Sequence, residues 1–199
     1  ARALVERQLE IDRKALEARI TKLHTDNKMA ALVEEYIDGR EIHCAILGDK
    51  PLPLYEMAFK GGVDDDGKPL PKIITYRAKW DPYSRDHHAV EGQCPVKDLS
   101  PELVKRIEAV AMSAYRALGC RDYARVDMRV DAQGNVYVLE VNPNPDLAES
   151  CAFAASARAA GKTYEQMICE IVDVASKRSK QPKVVSTGLD MLLNEYSAK

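Results

Sequence analysis

Between Arg125 and Asn142 apolar and polar residues alternate on both sides of Gly134-Asn135. That period of two, broken by a turn pair, is the pattern of a β-hairpin. If Asp131 and Val136 close the turn, Asp127 faces Glu140 and Arg125 faces Asn142. On the opposite side Val130 meets Tyr137, Met128 meets Leu139 and Val126 meets Val141, which makes that side the core face. The pairing decides everything, because a slip of one residue turns every side chain to the other face. Two carboxylates directly across a strand pair repel unless a cation joins them. Asp127, Glu140 and the Asn142 amide oxygen form a donor set for a hard divalent ion such as Mg²⁺, which completes its shell with waters and substrate phosphates. The alternative is a pair of solvated carboxylates on an open sheet face, and the hairpin by itself leaves both readings open.

The chain has 199 residues, enough for one good core or two small lobes with a shared interface. A formal net charge of −2 argues against nucleic acid as the main partner, since a phosphate backbone calls for a basic surface. No apolar run approaches the roughly 20 residues that span a bilayer, so no membrane partner is expected. Cys44, Cys94, Cys120, Cys151 and Cys169 show no paired spacing, and an odd set suits reduced thiols in a cytoplasmic protein.

Along the chain, residues 1–24 read as a charged helix carrying Leu4, Leu9, Leu16, Ile20 and Leu23. Leu32 to Ile37 reads as a strand, Asp38-Gly39 as a tight turn, and Glu41 to Leu47 as the antiparallel partner. Leu54 to Ala58 and Ile73 to Arg77 read as further strands, separated by a polar loop containing Asp64-Asp65-Asp66-Gly67. That run lacks full calcium-loop spacing and reads as a solvated turn. Asp81 to Asp98, with His87 and His88, has no periodicity and reads as a long functional or mobile loop. Ser100-Pro101 opens a helix that Gly119 ends. After the hairpin come the loop Pro143 to Asp146, a helix from about Glu149 to Ala160, and a second from Glu165 to Ser176 capped by Thr163. Strands, helix, strands and helices in that order indicate an α+β fold.

Four segments occur in a fixed order: Val33 to Glu41, Tyr76 to Trp80, Ala124 to Asp127, and Leu139 to Pro143. Together they resemble the C-terminal part of ATP-grasp ligases, most closely the D-alanine–D-alanine ligase branch. The likeness covers roughly residues 10 to 178. The resemblance implies an ATP-grasp C-terminal lobe, an antiparallel sheet flanked by helices, over residues 1–180; residues 181–199 read as a separate tail, with a short amphipathic helix as one option for it. It implies an ADP-forming carboxylate–amine ligase with an acyl-phosphate intermediate, joining amino acids or small peptides. D-alanine–D-alanine ligase proper and an inactive nucleotide-binding or scaffolding module are the alternatives.

Carried onto this chain, the resemblance makes Glu34, Glu35, Tyr36 and Ile37 the linker strand that receives adenine and Glu41 the ribose-hydroxyl acceptor. Lys79 takes a place near the terminal phosphate. Asp127, Glu140 and Asn142 become ligands for one or two Mg²⁺ ions, or Mn²⁺, and Arg125 a catalytic group for the transferred phosphoryl and the oxyanion. Unaided by family, Arg125 also reads as a structural salt bridge to Asp127 or Glu140, and Arg129 as a neutraliser of the site's rim. The partners implied are a small-molecule carboxylate and an amine.

Two departures stand out. Asn142-Pro143-Asn144-Pro145-Asp146 carries aspartate where the ligases have a glycine, which adds charge and removes easy access to φ > 0. Asp146 reads either as a sensor of a cationic amine or as a helix cap. Ser150 reads either as a contact for a substrate carboxylate or as an ordinary helix-start serine. The glycine-rich phosphate loop and lysine-bearing strands expected upstream of the linker are also absent. The expectation is an upstream portion of the same polypeptide, or a second copy in a homodimer, that completes the site.

Overall fold

A computed structural model describes residues 13–64 and 66–179. The first element, α1 (Arg13–Asn27), half-buries Leu16, Arg19, Ile20 and Leu23 and is otherwise exposed. The expected start of this helix and the tail at 181–199 lie outside the described residues.

The centre is an antiparallel sheet of β1 (Arg40–Leu47), β2 (Lys50–Pro51), β3 (Tyr55–Phe59), β4 (Val90–Gln93), β5 (Tyr123–Val130) and β6 (Val136–Asn142). Its order is β4-β3-β1-β5-β6, with β2 paired to the end of β1. Because β3 and β5 occupy the two edges of β1, the expected hairpin of Leu32–Ile37 with β1 cannot form. Residues 31–38 make no strand, and Leu32 and Val33 stay exposed. The reason is simple: a strand pattern needs a free edge, and β1 has none to offer.

Alternation along β1 and β5 sorts the two faces. Ile42, Cys44, Ile46, Val126, Met128 and Val130 face α4 (Pro101–Ala117), whose Ile107, Ala111, Met112 and Tyr115 complete the larger core. Ser100 caps α4 by accepting a hydrogen bond from the Leu103 amide at 3.2 Å. On the other face Ala45 and Leu47 pack under α5 (Ala152–Ala159) and α6 (Tyr164–Ser179) with Phe153, Ala154, Ala157 and Met167. Among the described residues, helices roof only one end of that second face. Thr163 and Gln166 form the start of α6 reciprocally, the Gln166 amide reaching Thr163 Oγ1 and Gln166 Oε1 taking the Thr163 amide.

The hairpin forms, with one correction to its register. The turn closes at Asn135, whose carbonyl accepts from the Asp131 amide at 3.1 Å. The Asp131 carboxylate holds the turn by accepting from the Gln133 and Asn135 amides at 2.9 and 2.8 Å. Near the turn the pairs are therefore Val130–Val136, Arg129–Tyr137 and Met128–Val138, not those expected. A bulge between Asp127 and Met128 then leaves Leu139 as the extra residue. Beyond it Asp127 faces Glu140, Val126 faces Val141 and Arg125 faces Asn142, as the alternation predicts.

Two further expectations change. Ile73 to Arg77 is no strand: Thr75 caps a short helix, α2 (Tyr76–Trp80), by accepting from the Ala78 amide at 3.0 Å. Within the expected loop Asp81–Asp98, Ser84 likewise caps a single turn, α3 (Arg85–His88), and β4 follows at the sheet edge. Local hydroxyl caps outweigh the β-branched run in the first case, and edge pairing to β3 organises the second.

Candidate functional site

The unroofed end of the second sheet face is polar, and its side chains form one continuous line across β1 and β5. Glu41 lies opposite Arg129, His43 opposite Asp127, and Ala45 opposite Arg125. Arg129 Nε is 4.0 Å from Glu41 Oε2, and His43 Nε2 is 3.4 Å from Glu41 Oε1. His43 Nε2 is also 3.9 Å from Asp127 Oδ1. Arg125 ends the line by donating to both Asp127 oxygens, Nε at 2.7 Å and Nη2 at 2.8 Å. Glu41, His43, Asp127 and Arg129 are all buried, so these groups meet where water screens them little.

Each charge is shaped by its neighbours. Burial works against the Arg125 guanidinium, but its hydrogen bonds to Asp127 and the negative charges of Asp127 and Glu140 hold its pKa above the ordinary value. Arg129 is not the rim group expected. It is 2% exposed, donates to the Gly39 carbonyl at 3.1 Å and to the Lys72 carbonyl, and lies 5.5 Å from the Tyr36 ring and 5.3 Å from Phe59. It therefore works as a buried clamp joining residues 36–39 to the sheet.

The expected linker residues divide accordingly. Tyr36 and Ile37 are half-buried, and Tyr36 meets Arg129, which is in turn beside Glu41. Glu34 and Glu35 are exposed and belong to no strand. Gly39 makes the bend possible: its φ is +153°, and a Cβ there would overlap the Val130 carbonyl.

At the opposite end, β6 brings Glu140 and Asn142 beside Asp127 and Arg125. Asn142 Oδ1 accepts from the Asn144 amide at 3.2 Å, and Asn144 Oδ1 accepts from the Tyr123 hydroxyl at 2.6 Å, which pins the following loop. Asp146 caps no helix. Its Oδ1 accepts from the Ala148 amide at 2.8 Å, while Cys151 holds the cap position of α5. Ser150 is exposed just before that cap. The Ala148 amide, the Cys151 thiol, and the charges of Arg125 and Lys79 hold the Asp146 carboxyl below its ordinary range despite some burial cost. Lys79 is exposed on α2, its Nζ 5.2 Å from the Trp80 ring, and within electrostatic reach of that same loop.

Sequence reasoning missed His43 and Tyr55. The alternation Glu41-Ile42-His43 already places His43 on the face of Glu41, and that signal was available. The stacking of His43 on Tyr55, rings 6.0 Å apart and 16° from parallel, depends on strand pairing and was not. Gly92 on β4 is the matching close approach, since a Cβ there would overlap the Tyr55 hydroxyl.

Asp127, Glu140 and Asn142 present hard oxygen donors, but no group of three His, Cys, Asp or Glu side chains able to hold a metal occurs among the described residues. Two carboxylates and an amide oxygen are donors that a hard ion such as Mg²⁺ would share with waters and ligand oxygens.

Comparison with known proteins identifies the family and the fold. Residues 10–173 match the family described as D-ala D-ala ligase C-terminus. The chain is 36% identical over 168 residues to an uncharacterized protein, y4sG, of Sinorhizobium fredii, covering 82% of this chain and 46% of that one. It is 35% identical over 142 residues to a D-alanine–D-alanine ligase of Pseudoalteromonas translucida, covering 71% and 41%. D-alanine–D-alanine ligase from Bacillus anthracis superposes with TM-score 0.65 at 29% identity, covering 85% of this chain and 50% of the enzyme. The same ligase complexed with ATP superposes with TM-score 0.63 at 27% identity, covering 85% and 48%. The chain thus spans less than half the length of these curated relatives. With the family model covering most of its length, the chain belongs to the D-alanine–D-alanine ligase C-terminal family and has the antiparallel, helix-flanked α+β architecture of that ATP-grasp lobe.

Proposed function

We propose that this lobe serves an ATP-dependent carboxylate–amine ligase that forms ADP and phosphate through an acyl phosphate, joining amino acids or small peptides. The observation that carries the reading is the pairing of Arg125 with Asn142 and of Asp127 with Glu140 beside the helix-covered part of the second sheet face, with Glu41 and Tyr36 further along that face. In this reading Tyr36 and Ile37, with the backbone of Glu34 and Glu35, receive adenine and Glu41 accepts from the ribose hydroxyls. Asp127, Glu140 and Asn142 hold Mg²⁺, which when bound neutralises the terminal phosphates. Arg125, held on Asp127 through Nε and Nη2, turns its remaining N–H groups to the transferred phosphoryl group, and Lys79 supplies a second cation from α2. The five free cysteines suit a reducing, cytoplasmic setting. Among the described residues no helix is long and apolar enough to cross a membrane.

The names of relatives favour a second reading of the substrate, D-alanine for both positions. Against it stands Asp146, a carboxylate held ionised beside Arg125 and Lys79, which suits a cationic amine.

Calorimetric titration of a non-hydrolysable ATP analogue, with and without Mg²⁺, tests the core of this reading. Mg²⁺-dependent binding that disappears in Asp127→Asn supports it. Equal binding by wild type and Asp127→Asn would sink the metal assignment. ADP release screened over pairs of amino acids then separates D-alanine from other substrates.

A further inference from the structure

We propose that His43 is a positioning residue that sets the Glu41 carboxylate for the ribose hydroxyls of the nucleotide, an inference that rests on the nucleotide reading above. His43 lies two residues beyond Glu41 on β1, on the same face, and directly opposite Asp127 on β5. Its Nε2 is flanked by two carboxylates, Glu41 Oε1 at 3.4 Å and Asp127 Oδ1 at 3.9 Å. Carboxylates only accept, so Nε2 carries the hydrogen and donates to Glu41. All three side chains are about nine-tenths buried.

The ring has little other means of orientation. Nδ1 is buried without a hydrogen-bond partner among the described residues, and the ring is held by stacking on Tyr55 and by its bond to Glu41. Asp127 has two short hydrogen bonds from Arg125 and does not depend on the imidazole. Among the described residues Glu41 has, besides His43, only Arg129 at 4.0 Å. Removing His43 therefore leaves Asp127 in place and frees Glu41 to turn toward Arg129. The consequence falls on the ribose end of the site, and that separates positioning from a general structural role.

The test compares a non-hydrolysable ATP analogue with its 2′,3′-dideoxy counterpart, by calorimetry, in wild type and in His43→Leu and His43→Gln. Wild type should prefer the ribose form roughly tenfold, the worth of a hydrogen bond to a charged group. In His43→Leu that preference should fall close to one, while His43→Gln, which keeps an N–H donor of similar reach, should retain most of it. In a Glu41→Gln background His43→Leu should change the preference no further, because the two act through one contact. Should His43→Leu fail to fold by circular dichroism, His43→Asn, whose amide is one methylene shorter than glutamine's, replaces it and should lose the preference that His43→Gln retains. An undiminished ribose preference in the variant lacking the reach overturns the proposal, and so does an equal loss of affinity for both nucleotides. Wild type that binds both nucleotides equally overturns the role of Glu41 and with it that of His43. Wild type that binds neither, with the upstream portion of the polypeptide present, overturns the nucleotide reading itself.

Discussion

Arg125 grips both oxygens of Asp127 from two residues away on the same strand, at 2.7 and 2.8 Å. Adjacent side chains on one strand face lie roughly 7 Å apart at the backbone, so the pair closes that gap with side-chain reach alone. Asp127 is 6% exposed, and a carboxylate buried to that degree needs its donors. Arg125→Ala should therefore weaken the fold by about 1–3 kcal/mol in the absence of divalent ions, the cost of an unsatisfied buried acceptor. Urea unfolding in the presence of a chelator measures it. A loss confined to a few tenths of a kcal/mol would show that Asp127 does not rely on Arg125. Full turnover in the same variant would remove Arg125 from catalysis.

The bulge at Leu139 sets the Asp127–Glu140 pairing. Continuing the turn-proximal register without it would place Leu139 opposite Asp127 and carry Glu140 one position along, to the other face. Deleting Leu139 brings Glu140 into that position by a straight ladder, so the hairpin should still form. The bulge also adds local twist beside the site, and its loss re-aims the carboxylate. The deletion variant should keep its far-ultraviolet circular dichroism and lose Mg²⁺-dependent nucleotide affinity. Unaltered affinity would show that pairing alone, and not the twist, sets the carboxylate.

Much of this was legible beforehand because alternation is a local signal. The polar face of the hairpin, the Ser100 cap of α4 and the Thr163 cap of α6 are each written within a few residues. The segment 32–37 misled because its strand-like pattern says nothing about which edges are free, and β1 had already spent both on β3 and β5. Arg129 misled for a related reason. Its partners, the carbonyls of Gly39 and Lys72, lie 90 and 57 residues away along the chain, where no spacing rule reaches. The Leu139 bulge was hidden by the Asp131 carboxylate, which tightens the turn by one residue.

Gly39 should tolerate no side chain. Its φ of +153° belongs to glycine, and an added Cβ would overlap the Val130 carbonyl oxygen, which is backbone and cannot swing aside. Gly39→Ala should destabilise the fold by about 1–3 kcal/mol, read from the urea midpoint. Since Arg129 holds the Gly39 carbonyl and also faces Glu41, nucleotide affinity should fall with it. An alanine variant as stable as wild type would mean that residues 38–40 take another path.

The cysteines offer a check on the sheet core that is independent of any ligand. Cys44 is fully buried between β1's neighbours and α4, and burial, helped by the negative charge of Glu108, pushes its thiol up to about 12. At neutral pH only about one part in 10⁵ of such a group is thiolate, and the thiolate is the reactive form. Cys169 by contrast is exposed on α6. Brief alkylation of the native protein with iodoacetamide, followed by peptide mass spectrometry, should modify Cys169 and leave Cys44 untouched until denaturant is added. Native-state labelling of Cys44 at a rate comparable to Cys169 would contradict the packing of α4 on the sheet.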